Sequence, residues 1–240
     1  MNGAARRLSL AAILVLWMAA PLAQAGNPDA LYRDREHLPS ARRAADLWQA
    51  RASTDFEAAW KLARISYWIG THEPKQARRA ALERGITAGE NAVRLSPKGP
   101  EGHFWLAADM GALAEEGGLR AGLKYRGRIR DELQRTIAIN PTYEDGSGEA
   151  ALGEWYAKVP GLFGGDKTQA EAHLRRAIAI NAESRNALVD LAELLIDRGR
   201  KDEARALLRR AIDAPTDPDW APEDRETSAH ASGLLKKLDK

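Results

Sequence analysis

The chain has 240 residues, a formal net charge of +2 and no cysteine. That length is ample for one core. The near-neutral charge excludes the electrostatic footprint of a nucleic-acid binder, and the lack of cysteine excludes both a disulfide framework and an acceptor for a lipid anchor.

The first 25 residues stand apart. Arg6 and Arg7 open them, Leu8 to Ala20 is apolar except for Ser9, Pro21 breaks the run, and Ala23-Gln24-Ala25 has the small-x-small form of a cleavage site. The apolar run falls short of the roughly 20 residues of a spanning helix. Residues 1–25 are therefore expected to be a signal peptide cleaved after Ala25, leaving a soluble protein in the periplasm. Residues 1–25 contain no acid, so cleavage leaves equal numbers of basic and acidic side chains.

Residues 26–53 are predicted to form an N-terminal segment with a capping helix over Leu38 to Ala52. Beyond them one phrase recurs: ENAVRLSP from Glu90, QRTIAINP from Gln134, RRAIAINA from Arg175 and RRAIDAPT from Arg209, at spacings of 44, 41 and 34 residues. A period of this size marks a stacked structural unit. The last unit carries Leu188, Leu191, Ala192 and Leu195 at helical spacing, then Ala204, Leu207, Leu208 and Ala211 on a second helix. Gly199 punctuates the two. These residues match the 34-residue tetratricopeptide pattern, in which small residues let two helices approach and large ones fill the seam between hairpins.

The earlier units fit the same pattern with insertions. Leu152, Gly153 and Tyr156 face Ala170, Leu174 and Ala177, with five extra residues around Val159 to Gly165. Pro160 is expected to end the first helix, and Asp166, followed by Gln169, to cap the second. Leu106, Ala107 and Met110 face Leu133, with about ten extra residues between Glu115 and Lys124. The earliest unit runs from Asp55 to Pro97, and its second helix, from Pro74, is expected to be long. Residues 54–216 thus hold four tetratricopeptide-like helix pairs, and residues 217–240 hold a second capping helix over Pro222 to Leu238. The fold class is all-α: a right-handed helical-hairpin solenoid with a cap at each end, which shields apolar faces from water.

Several segments resemble a narrower family. Gly102-His103-Phe104-Trp105-Leu106, Ile129 to Leu133, Asn140-Pro141-Thr142-Tyr143, Leu152 to Tyr156 and Pro160 to Lys167 look like motifs of the T-component proteins of tripartite ATP-independent periplasmic (TRAP) transporters. The resemblance covers about Phe56 to Pro215. It implies a non-enzymatic periplasmic adaptor whose partner is a solute-binding protein and which also contacts that protein's small organic ligand. Members of that family often carry an acylated cysteine, which this chain lacks. Two other roles fit the same residues: a generic scaffold for envelope protein assembly, and a carrier of an apolar ligand.

The candidate site residues are aromatic. Trp60, Tyr67, Trp68, Phe104, Trp105, Trp155 and Tyr156 fall on first helices of hairpins, which line the concave groove of such an array. Trp and Tyr are common binding anchors, and they are equally able to fill seams. Trp60, Trp68 and Phe104 lie outside the usual seam positions. His103 is a ligand contact or a packing group, and Phe163, in a glycine-rich loop, is a contact or a plug. Catalysis, cofactors and metals are not expected. No two of the five histidines have metal-ligand spacing, and Glu115 and Glu116 are adjacent and so diverge on a helix. In Gly161 to Thr168, Asp166 replaces the glycine that must precede the lysine of a phosphate loop.

Overall fold

A computed structural model describes residues 26–239; the segment read above as a signal peptide lies outside the described residues. The chain opens with α1 (Pro28–Arg33), started by Pro28 and capped by Asn27, whose side chain accepts from the amides of Asp29 and Ala30. Then comes α2 (Leu38–Gln49), which buries Ala41, Ala44, Ala45 and Trp48, a stripe spaced for one helix face. The N-terminal cap is therefore two helices rather than the single one expected.

Three hairpins of the repeat follow in regular form. The first pairs α3 (Phe56–His72) with α4 (Lys75–Leu95), the latter 21 residues long as its sequence predicts. The next is α5 (Pro100–Ile139), one run of 40 residues broken only at Gly118, whose φ of 64° and ψ of −157° are non-helical. The break folds the chain back on itself, because the His103 side chain reaches Glu132 at 2.6 Å, 29 positions on. The inserted residues of this unit thus lengthen both arms, and one glycine makes the turn. After a short 3-10 turn (Tyr143–Gly146), α6 (Ser147–Lys158) pairs with α7 (Lys167–Ile180). Asp166 caps α7 by accepting from the amides of Thr168 and Gln169, while its own amide donates to Tyr156 O.

The last pair is α8 (Arg185–Asp197) and α9 (Lys201–Asp213). Between them Arg200 N–H donates to Leu195 O and Gly199 N–H to Ile196 O, the paired bonds of a Schellman stop. The C-terminal cap is α10 (Ala221–Leu238).

Three large apolar clusters run end to end, and a small fourth of Ala150, Ala177 and Ala187 joins α6, α7 and α8. The first joins the cap to α3 and α4 around Trp48, Leu62 and Ile65; the second joins the arms of α5 to α6 around Leu106, Met110, Leu133 and Leu152; the third joins α7 to α10 around Leu174, Leu188, Leu191 and Leu208. Each fully buried Leu contributes roughly 1.5–3 kcal/mol, and each hairpin buries most of its face against its neighbours. Among the described residues there is no strand, and no helix is long and apolar enough to cross a membrane.

Candidate functional site

Apart from Phe163, the aromatic candidates lie on the first helices of the hairpins, α3, the first arm of α5 and α6. On α3, Trp60, Arg64 and Tyr67 recur at helical spacing and form one stripe. Their rings and charges interlock with the next elements. Arg64 lies 3.8 Å over the Tyr32 ring and 4.9 Å from the Trp60 ring, within cation–π range. Tyr67 meets Trp105 at 5.9 Å, Trp105 meets Phe104 edge-on at 5.1 Å, and Phe104 meets Tyr143 at 5.5 Å. Such pairings contribute about 0.5–1.5 kcal/mol each beyond area burial. Trp105 Nε1 and Tyr143 Oη are buried beside each other there, and the indole N–H lowers the Tyr143 phenol slightly against the larger effect of burial. Burial raises the Tyr67 and Tyr143 phenols and pushes the Tyr32 phenol up to about 12, so all three stay neutral. Next to Tyr143, Glu144 and Asp145 adopt left-handed backbone angles, φ 44° and 56°, a strained form for non-glycine residues that aims this turn at the aromatic face.

The C-terminal segment crosses to this face. Trp220 lies nearly parallel to Trp105, with centroids 6.3 Å apart and planes 17° from coplanar. Arg35, 1% exposed, donates through Nε to Glu223 Oε1 at 2.9 Å, through Nη2 to Glu223 Oε2, and through Nη2 to Asp219 O at 2.7 Å. The same guanidinium sits 4.4 Å from the Tyr32 ring and 5.3 Å from the Trp68 ring. His72 Nε2 meets Glu226 at 2.9 Å, and Arg225 pairs with Glu36.

The aromatic candidates divide into two groups. Trp60, Tyr67, Phe104 and Trp105 come together with Trp220, Tyr32 and Tyr143. Trp68, expected to stand outside the seams, is buried because the N-terminal cap covers it; its indole donates to Arg35 O at 2.7 Å. His103 is buried with both ring nitrogens engaged, Nδ1 on Glu132 at 2.6 Å and Nε2 on Pro97 O at 3.1 Å. Glu132 is the main cause of its raised pKa. Both ring nitrogens of His103 are thus held within the chain. Trp155 and Tyr156 sit apart, on α6. Trp155 is buried, and Tyr156 stacks on His173 at 5.3 Å. Phe163 is half-buried with Arg126 5.5 Å from its ring, while its neighbour Leu162 is 90% exposed. Lys167, at the start of α7, meets Asp197 at 3.5 Å.

No reacting pair is assembled among these groups. Glu115 and Glu154 both bind the Lys158 ammonium, at 2.5 and 2.7 Å, and Glu154 raises the lysine's pKa against burial. No group of His, Asp or Glu among the described residues could hold a metal ion. Arg35, Trp220 and Glu223 were not singled out from sequence. Trp220 did leave a signal, a lone indole between Pro218 and Pro222 in an otherwise polar link.

Comparison with known proteins places this geometry. A tetratricopeptide-repeat model matches residues 165–222. Among solved structures, a thermophilic tetratricopeptide protein of Thermus thermophilus is 24% identical with a TM-score of 0.64, over 88% of this chain and 98% of that one. The MamA protein is 18% identical with a TM-score of 0.51, over 82% and 95%. These two share the fold. No curated protein matches. A model described as regulator of microtubule dynamics protein 1-3 matches residues 28–162, more than half of the sequence, so the chain is a tetratricopeptide-repeat protein that belongs to the regulator of microtubule dynamics protein 1-3 family.

Proposed function

We propose that this chain is a non-catalytic adaptor whose concave face holds a segment of another protein. The observation that carries this reading is the continuous face of Trp60, Arg64, Tyr67, Trp105 and Tyr143, which combines aromatic anchors with a guanidinium whose Nε has no hydrogen-bond partner. In its finer form the protein is exported by residues 1–25, works in the periplasm, and binds the solute-binding protein of a TRAP-type transporter together with its small organic ligand. The resemblance of residues 102–106, 152–156 and 160–167 to the T-component motifs supports that form.

The test is a cross-linking pull-down with immobilised residues 26–240 in periplasmic extract. A solute-binding protein should be recovered, and recovery should fall at least fivefold with Trp60→Ala and Tyr67→Ala. If none is recovered after cross-linking, the transporter partner is wrong. A clean apo mass in native mass spectrometry would remove the small ligand. A second reading comes from the description of the family matched over residues 28–162, which favours a cytoskeletal partner; co-sedimentation with tubulin polymer would support it, and a protein left wholly in the supernatant would end it.

A further inference from the structure

We infer that residues 219–223 are an internal ligand of the concave site, and that the site's outside partner presents the same chemistry, an aromatic ring followed three residues later by a carboxylate. This rests on the reading that the concave face binds a protein segment.

The chain itself shows what the site accepts. Trp220 contributes the ring, laid parallel on Trp105. Three residues on, Glu223 contributes the carboxylate, and both of its oxygens are taken by Arg35. Trp220 is the N-cap of α10 and Glu223 lies in its first turn, so one short segment delivers both groups together. Arg35 is enclosed by the Tyr32 and Trp68 rings, and an enclosed guanidinium left without an anion is strongly unfavourable. The site therefore demands a carboxylate, and Glu223 meets that demand until another arrives.

The attachment is of a kind that a competitor displaces. Its only backbone hydrogen bond to the site is Arg35 to Asp219 O. The segment's other backbone bonds are internal: Trp220 N–H to Asp217 O, Asp224 N–H to Trp220 O, and Asp217 N–H to Asp224 Oδ2 at 3.0 Å. Residues 215–219, which tether it to α9, are exposed and hold Pro215 and Pro218. The outer pairs, Arg225 with Glu36, Arg33 with Asp219 and His72 with Glu226, each have at least one side chain more than half exposed and add little. One ring and one carboxylate make a footprint far below the roughly 800 Å² per partner of a standard protein interface. Beyond residue 223 α10 keeps independent anchors on α8, where Asp224 pairs with Arg185, Thr227 with Asn186 and His230 with Glu193. The start of α10 can leave the site without loss of the whole cap.

The test uses a fluorescent peptide of residues 215–228 and the chain from residue 26 to 240. The Trp220→Ala/Glu223→Gln protein should bind the peptide at least tenfold more tightly than wild type, and the peptide carrying both substitutions should bind neither. Equal affinity in both proteins, or no binding to a double variant with wild-type circular dichroism, overturns the proposal. A second measurement covers a variant that fails to fold. In the wild-type protein, excess peptide should speed hydrogen exchange across residues 217–226, and unchanged exchange at millimolar peptide overturns it equally. The two readings fail separately. A pull-down equally strong from wild type and double variant leaves the adaptor standing and removes the internal ligand.

Discussion

The carboxyl of Asp109 rests against the backbone of Gly85. A Cβ at position 85 would lie 2.3 Å from Asp109 Oδ1 and 2.4 Å from Cγ and Oδ2. Asp109 is fully buried and neither of its oxygens has a hydrogen-bond partner. Alanine is preferred to glycine inside a helix by about 1 kcal/mol, but here the clash is with a side chain that has no exit to water. Gly85→Ala is expected to destabilise the protein by about 1–3 kcal/mol, measured by urea unfolding. Adding Asp109→Ala should recover most of that loss.

The same carboxyl gives stability a pH dependence. Burial raises the Asp109 pKa well above the usual carboxylate range, and Arg84 offsets part of the rise. The folded state therefore holds the proton at pH values where the unfolded chain has released it. Stability from this group is full below the ordinary pKa of about 4 and falls as pH rises through the folded pKa. Asp109→Asn removes the titration. Its urea midpoint should exceed that of wild type by a margin that widens from pH 4 to pH 8; a constant margin would show that Asp109 does not titrate in this way.

Gly118 turns a hairpin with one residue. Its angles lie where residues with a Cβ are strained, yet nothing stands within 4 Å of a Cβ placed there. Gly118→Ala thus tests conformation alone and should cost about 1–3 kcal/mol in thermal or urea unfolding. Gly111→Ala, also in open space but in regular helix, is the control and should be neutral or gain up to about 1 kcal/mol.

Arg185 ties the end of α9 to the start of α10. Its Nε donates to Ala211 O at 2.9 Å, its Nη2 to Ala214 O and, at 3.4 Å, to Pro215 O, and its Nη1 pairs with Asp224. A lysine keeps the charge but cannot present this fork. Arg185→Lys is expected to cost about 1–3 kcal/mol and to raise hydrogen-exchange rates across residues 211–224. Unchanged exchange there would show that the fork is dispensable.

The helix pairs were legible because their apolar residues recur at helical spacing and adjacent hairpins bury them. Leu188, Leu191, Ala192 and Leu195 meet Ala204, Leu208 and Ala211 as the pattern implies. Asp109 also left a trace, since it lies three residues after Leu106 and four before Leu113, both buried. What a local pattern cannot carry is contact between distant stretches. Trp68 looks free on α3 until residues 28–49 cover it. Trp220 and Glu223 look like parts of a solvated link until Trp105 and Arg35 meet them, the latter 188 positions away from Glu223. The Pro160 to Lys167 insertion read clearly as a turn, but which of its side chains would face outward did not: Leu162 is exposed and Phe163 is half-buried.

A row of stacked repeats ordinarily frays from its termini, because the outermost unit has a neighbour on one side only. The pairing of Arg35 with Glu223 gives the first and last units of this row a second neighbour in each other. While Glu223 holds Arg35, the described units lean on each other and melting should be closer to all-or-none; once a competitor takes Arg35, fraying from the two caps should return. Removing the last helix would loosen the first, and a nick in the proline-bearing link before Trp220 would be felt at Tyr32.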